Sequence, residues 1–338
     1  MKRALPLLGV ILMAGGLFVL GALAWSYWTP SPPPYTYKLV AEGKAKTFPE
    51  LGLKGRVYLA IKKYEVRVSG IDKPVAGFHV AKKDETSPIL LEWQNYLNEP
   101  VLTLTSTMKE TKALAEAMDK HAPPNATVLA WWDTSRRLKL LSDASVMFDE
   151  NLARPVFIPS MWASRRQFIE DQERKFWRAS SEGRFVKRFD KFVDALLSDE
   201  IVGVAKLRQL VGKGEAYIAL HLSDVFKIGA IAPKRFSVGY RDFSISGKMH
   251  GQIKRIKGWI KEQGHKAHAV MSVSDQLRRV FFLTDATSRE TLIARMLPFN
   301  TSNPFKLEGL RVVYQHGGYW VYKLPALETA ASAAHQGE

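Results

Sequence analysis

The 338-residue chain contains no cysteine. That absence excludes thiolate catalysis, iron–sulfur clusters, haem attached covalently through C-x-x-C-H, cysteine-ligated zinc and disulfide stapling. A lipoprotein anchor, which needs an N-terminal cysteine, is excluded too. Phosphate-binding glycine motifs are also missing. Neither G-x-x-x-x-G-K-[ST] nor G-x-G-x-x-G occurs, and Gly212-Lys213-Gly214 reads as a turn. No G-x-S-x-G string marks a nucleophilic serine. Histidine is sparse, with eight residues, and only His265-Lys-Ala-His268 is closely spaced. Gly264 argues against a helix there and no third ligand lies nearby, so the pair reads as solvated loop histidines and no metal site is expected.

Acidic side chains are the scarce sign of charge. Asp and Glu total 33 against 49 Lys and Arg, a formal net charge of +16. Residues 151–270 hold 23 basic and 12 acidic side chains, so most of the excess lies in that stretch. Such a surface favours anionic partners: lipid headgroups, acidic glycans, nucleic acid or an acidic protein.

Only one long apolar run is present. Lys2 and Arg3 precede an uncharged segment from Ala4 to Trp28, and about 20 residues suffice to cross a bilayer core. Trp25, Tyr27 and Trp28 form an aromatic belt at its end, followed by Pro30-Ser31-Pro32-Pro33-Pro34. The expectation is a retained single-span anchor with its N-terminus inside and the remainder outside. A signal peptide cleaved after Ala22-Leu23-Ala24 is the alternative. On that address nucleic acid is not expected as a partner.

Beyond the linker, strands are expected within residues 55–69, 126–131, 216–222, 269–273 and 279–283, and a loop from Lys73 to Pro88. Thr107 to Glu110 forms a capping box that opens a helix to about Lys120. Residues 160–200 read as mostly helical, with Phe185, Phe189, Phe192, Val193, Leu196 and Leu197 as one apolar stripe. Arg184, Lys187, Arg188 and Lys191 lie opposite that stripe. A second basic amphipathic helix is expected over 248–263. Residues 310–323 read as a β-hairpin around Gly317-Gly318. The fold class is therefore α/β: one N-terminal transmembrane helix plus one soluble mixed α/β domain ending in a β-hairpin. The boundaries are anchor 1–28, linker 29–36, domain 37–325 and disordered tail 326–338, with a candidate internal break near Arg241–Gly251.

The most distinctive string is Ala126-Thr-Val-Leu-Ala-Trp131-Trp132-Asp133-Thr-Ser-Arg136-Arg137. A strand running into a helix N-terminus is where α/β folds place ligands, because free amides and the helix dipole attract anions. Trp131, Trp132, Asp133, Arg136, Arg137 and the later Asp149 are thus the candidate ligand- or partner-binding residues, with no catalytic residue among them. The plain structural alternative makes Trp131 core, Asp133 the helix cap and the arginines solvated.

The string is similar to the tryptophan–tryptophan–aspartate motif in the soluble domain of oligosaccharyltransferase catalytic subunits. Asp149 takes the place of that motif's following acidic residue. Thr134 and Ser135 depart from it, and one span cannot carry the membrane-loop carboxylates of those enzymes. This resemblance implies a related fold and, as an alternative function, a module for lipid-linked or acidic glycan.

A second resemblance covers more of the chain. The N-terminal span, the AWWDTSRRL string, Phe148-Asp149-Glu150-Asn151, Ile158-Pro159-Ser160 and Glu173-Arg-Lys-Phe-Trp177 together resemble the HaoB family. Its members are single-span proteins encoded beside hydroxylamine oxidoreductase. This resemblance implies a bacterial inner-membrane accessory protein facing the periplasm, with hydroxylamine oxidoreductase or a related multihaem protein as partner. Without cysteine the chain itself holds no c-type haem. No cofactor is expected; a hydrolase or transferase site at Asp133 and Asp149 is the least favoured alternative, because no general base with an assigned partner emerges.

Overall fold

The computed structural model describes residues 4–28, 33–53, 55–56, 58–82, 87–97, 99–124, 126–180, 183–245, 249–274 and 276–326. The Lys2–Arg3 pair, linker residues 29–32, Lys248 and the tail from 327 lie outside the described residues. Helix α1 (Ala4–Trp28) runs the whole length of the apolar segment. Of its described side chains, at 12–25, Leu12, Leu17, Phe18 and Trp25 are all exposed. Among the described residues no helix is long and apolar enough to cross a membrane.

Strands β1 (Tyr35–Lys44), β2 (Ala60–Val68), β3 (Ala76–Lys82) and β4 (Ile89–Asn95) form an antiparallel sheet in chain order. Strand β3 corrects the loop expected over 73–88. Its residues 76–81 are buried on both faces, so no period of two marks it in the sequence. Phe78 stacks between Tyr64 and Trp93 at 5.2 and 4.7 Å, while Ala81 enters the core on the opposite side.

Helix α2 (Met108–His121) opens with the expected capping box: the Glu110 amide donates to Thr107 Oγ1, and the Thr107 amide to Glu110 Oε2. Then come β5 (Thr127–Ala130), α3 (Trp132–Leu141) and β6 (Ser145–Val146). Helices α4 (Arg166–Trp177), α5 (Arg184–Leu196) and α6 (Glu200–Val211) lead to β7 (Ala216–His221) and α7 (Asp224–Ile231). In α5 the expected stripe is buried through Phe189, Phe192, Val193 and Leu196.

Strand β8 (Val238–Ser244) precedes α8 (Met249–Glu262), β9 (Ala267–Ser274) and β10 (Leu277–Leu283), which complete a three-stranded sheet ordered β8-β10-β9. Arg241 sits inside β8, and Asp242 beside it accepts the Arg279 Nε–H and one terminal N–H at 2.7 Å each. His268 lies on β9, and His265 stacks on Phe282 at 3.8 Å, so neither is a freely solvated loop residue. Short helices α9 (Ala286–Arg289) and α10 (Leu292–Met296) then precede the hairpin of β11 (Arg311–His316) and β12 (Tyr319–Leu324).

The central sheet has the order β11-β12-β7-β5-β6. β5 is parallel to β6 and β7, and β12 is antiparallel to β7. Alternation along these strands splits the core in two. Leu129, Ile218, Leu220 and Tyr322 join the α5–α6 side; Val128, Tyr217, Ala219 and Val321 join the side of α2 and α3. The parallel strands β5 and β7 lie side by side, and each ends in a turn that starts a helix.

Candidate functional site

The two strand ends form one buried polar cluster. After β5 the chain turns through Trp131 into α3; after β7 it turns through Leu222 and Ser223 into α7. Trp131, not Asp133, occupies the cap position of α3, without a side-chain cap bond, so the helix starts two residues earlier than expected and Asp133 lies in its first turn. There Asp133 Oδ1 accepts the Thr134 amide at 2.7 Å.

Lys227, reaching back from α7, bridges both helix starts. Its ammonium lies 3.2 Å from Asp133 Oδ2 and 3.1 Å from Asp224 Oδ1, over the ring of Trp131. Arg137 approaches Asp133 at 3.7 Å and donates to the Ser106 carbonyl at 2.9 Å and to Thr134 Oγ1 at 3.3 Å. All four charged residues are buried, Arg137 completely. Burial pushes the Asp133 carboxyl up, but Lys227 and then Arg137 outweigh it and hold it below its ordinary value. Burial pushes Lys227 down, while Asp133 and Asp224 hold it above. Two anions and two cations balance, as a dry interior requires.

A second string of contacts borders the first. Tyr319, at the start of β12, hydrogen-bonds Ser106 Oγ at 2.6 Å and Thr134 Oγ1 at 3.3 Å. His221 Nδ1 lies 2.6 Å from Ser223 Oγ, and its Nε2 3.6 Å from Glu110 Oε1. Glu110 Oε1 also accepts the Gly318 amide at 2.8 Å. Burial raises the Glu110 carboxyl, yet the His221 contact and the amide together lower it to about 2. Serine, histidine and carboxylate here stand in the order of a nucleophilic relay. Ser223 is only 1% exposed and His221 3%, so no substrate reaches them in this conformation.

The remaining candidates occupy the outer face of α3. Trp132 donates its indole N–H to the Arg154 carbonyl at 2.7 Å. Arg136 is buried, donating to the carbonyls of Pro88 and Ser87 at 2.7 and 2.8 Å and to Ser87 Oγ at 2.8 Å. It thereby ties α3 to the entry of β4, and burial lowers its pKa to about 10. Asp149 pairs with Lys139 at the surface. Five of the six sequence candidates thus sit on the cap and first two turns of α3, divided between the Asp133–Arg137 cluster and the outer face, with Asp149 alongside. The arginines are buried rather than solvated. Neither tryptophan presents a face to a sugar, at 1% and 8% exposure.

Lys227, Asp224, His221, Tyr319 and Ser106 were not singled out from the sequence. One signal was available: His221-Leu-Ser-Asp224 is a second strand end with an acidic residue three positions on. Among the described residues no group of histidine and carboxylate side chains has a metal-binding arrangement.

Fold and site together define a mixed α/β protein whose strand-end charge cluster is sealed from solvent. The family model for HaoA-associated protein HaoB matches residues 1–324, and the chain belongs to that family. The family's description ties it to HaoA, the hydroxylamine oxidoreductase, and so to an accessory place in hydroxylamine oxidation. No curated protein matches the chain.

Proposed function

We propose that this protein is a membrane-anchored, periplasm-facing partner of hydroxylamine oxidoreductase that docks or assembles the enzyme and carries no haem of its own. The family match over residues 1–324 carries this reading. The anchor is supported by the uncharged run from Ala4 to Trp28, its aromatic end and the helix formed over it. The residues at the start of α3 act by position: Arg137 and Trp131 hold the core, and Arg136 fixes the segment before β4.

A partner is met by exposed groups instead. On α5, Arg184, Lys187, Arg188 and Lys191 face a groove of about 500 Å³ bordered by Gln209 and Leu210 of α6. Four cations on one face suit an acidic protein surface, and such contacts mainly set association rate and salt dependence.

The test is mild-detergent capture of the full-length protein from its native membranes, followed by haem absorbance and mass spectrometry. Near-stoichiometric recovery of a multihaem oxidoreductase is expected. Reversing Lys187 and Lys191 to Glu is expected to reduce recovery at least tenfold at low salt. Recovery of the protein alone, with an intact N-terminus, would overturn the partner reading while leaving the anchor.

A further inference from the structure

One end of the four-stranded sheet carries a cluster of exposed apolar side chains, and it is the end at which the chain arrives from α1. Tyr35 opens β1 there, paired with Val68 at the close of β2. The β2–β3 turn and the chain leaving β4 lie at the same end, since Ala76 pairs with Asn95. Residues 159–162 pack beside them, with Trp162 stacked on Tyr35 at 5.6 Å. Together Val68, Ile71, Val75, Leu97, Pro159 and Met161 line a groove of about 350 Å³, with Glu99 and Ser160 as its polar members. Its rim is open: Met161 is 77% exposed, Leu97 51%, Ile71 47% and the neighbouring Tyr96 46%. Large apolar side chains clustered on a rim in this way mark an interaction surface rather than ordinary scatter.

Chain length says what lies opposite. Six residues separate Trp28 from Tyr35, and Pro30, Pro32, Pro33 and Pro34 are four of them. Even a fully extended chain spans at most about 3.6 Å per residue, so Tyr35 lies within about 25 Å of the end of α1. With α1 in the bilayer, no other part of the domain is tethered as closely to the lipid. Tyr96, exposed on this rim, is a side chain of the kind that settles at a membrane–water interface.

We propose that the Ile71–Leu97–Met161 rim seats the domain on the lipid surface, dipping into the headgroup region beside the anchor. This rests on the anchor reading given above. The apolar rim supplies a second attachment, which fixes the domain's orientation instead of leaving it to swing on the linker. Whatever faces away from β1's start is then held towards the periplasm.

The absence of cysteine makes the test direct, because each introduced thiol is unique. Met161→Cys, Leu17→Cys and Lys44→Cys are made in the full-length chain, labelled with an environment-sensitive fluorophore and reconstituted in phosphatidylcholine–phosphatidylglycerol vesicles. Lys44 ends β1, nine residues further along, about 30 Å from Tyr35. Nitroxide-bearing lipids are expected to quench the Met161 label roughly twofold, with a blue-shifted emission, and to leave the Lys44 label unchanged. Equal quenching at Met161 and Lys44 would overturn the inference, and the Leu17 label then decides the anchor separately. A blue shift at Met161 without lipid quenching, growing with protein concentration, would assign the face to a second copy and also overturn it. Quenching at Met161 but not at Leu17 would uphold the lipid contact and remove the anchor.

Discussion

Replacing Lys227 by Met keeps the volume of the side chain and removes one charge from a sealed cluster. Each of its carboxylate contacts, at 3.2 and 3.1 Å, corresponds to about 5 kcal/mol of attraction at an effective dielectric constant of about 20. Most of that is offset by the several kcal/mol needed to dehydrate each ion and by repulsion from Arg137. Removing one partner of such a cluster typically costs about 3–5 kcal/mol, since the remaining charges stay buried without compensation. The variant keeps Arg137 and the Thr134 amide beside Asp133, but Asp224 keeps only the His221 amide at 2.8 Å.

The loss has a definite pH signature. In the native protein Asp133 is depressed, so its stabilising effect is present above the unfolded value near 3.9 and disappears as pH falls through its lower folded value. Without Lys227, burial dominates and the folded value moves above the unfolded one. The gap between variant and native protein therefore narrows from pH 7 towards pH 5. Urea melts of the detergent-solubilised full chain, followed by tryptophan fluorescence at both pH values, measure it. A gap under about 1 kcal/mol at pH 7, or one unchanged at pH 5, would refute the reasoning. Adding Asp133→Asn to the variant is expected to recover part of the loss.

Glu173 offers the opposite sign. It accepts hydrogen bonds from Tyr35, Tyr37 and Trp177, yet burial still holds its carboxyl above the ordinary range. Native stability from this group falls as pH rises through the window above about 4.3, so Glu173→Gln gains relative to the native protein between pH 4 and 7; parallel stability–pH curves would count against this. Gly318→Ala would place a methyl 2.2 Å from His221 Nε2, inside a packed turn, and is expected to cost about 1–3 kcal/mol by the same melts. Arg136→Met removes three hydrogen bonds to Ser87 and Pro88; faster proteolysis near residues 87–88, with capture of the partner retained, is the expected outcome.

The parts of this fold that local chemistry specifies were legible from the sequence. The capping box at Thr107, the apolar stripe of α5, the terminal hairpin and the strand-to-helix junction at Trp131 each depend on residues within one or two turns of one another. What failed was non-local. β3 lacks alternation because both its faces are covered, so its pattern matches neither a half-buried strand nor a helix. Arg136 and Arg137 read as surface residues until Ser87 and Ser106 supply carbonyls from 49 and 31 positions away. Lys227 looks like any lysine on a short helix. Only the pairing of β5 with β7 places it against Asp133, 94 residues earlier.

The place of β12 in the central sheet sets the order in which this protein can be finished. β7 pairs with β5 on one side and with β12 on the other, and β12 is among the last segments of the domain to be made. Until it arrives, the backbone of β7 from Ala216 to His221 is an open edge ready to pair with another chain. Tyr319 is likewise missing from Ser106 and Thr134. A chain emerging from its amino end must therefore be kept from aggregating through the stretch between β7 and β12, and a truncation before Arg311 is expected to yield insoluble product rather than a smaller working domain.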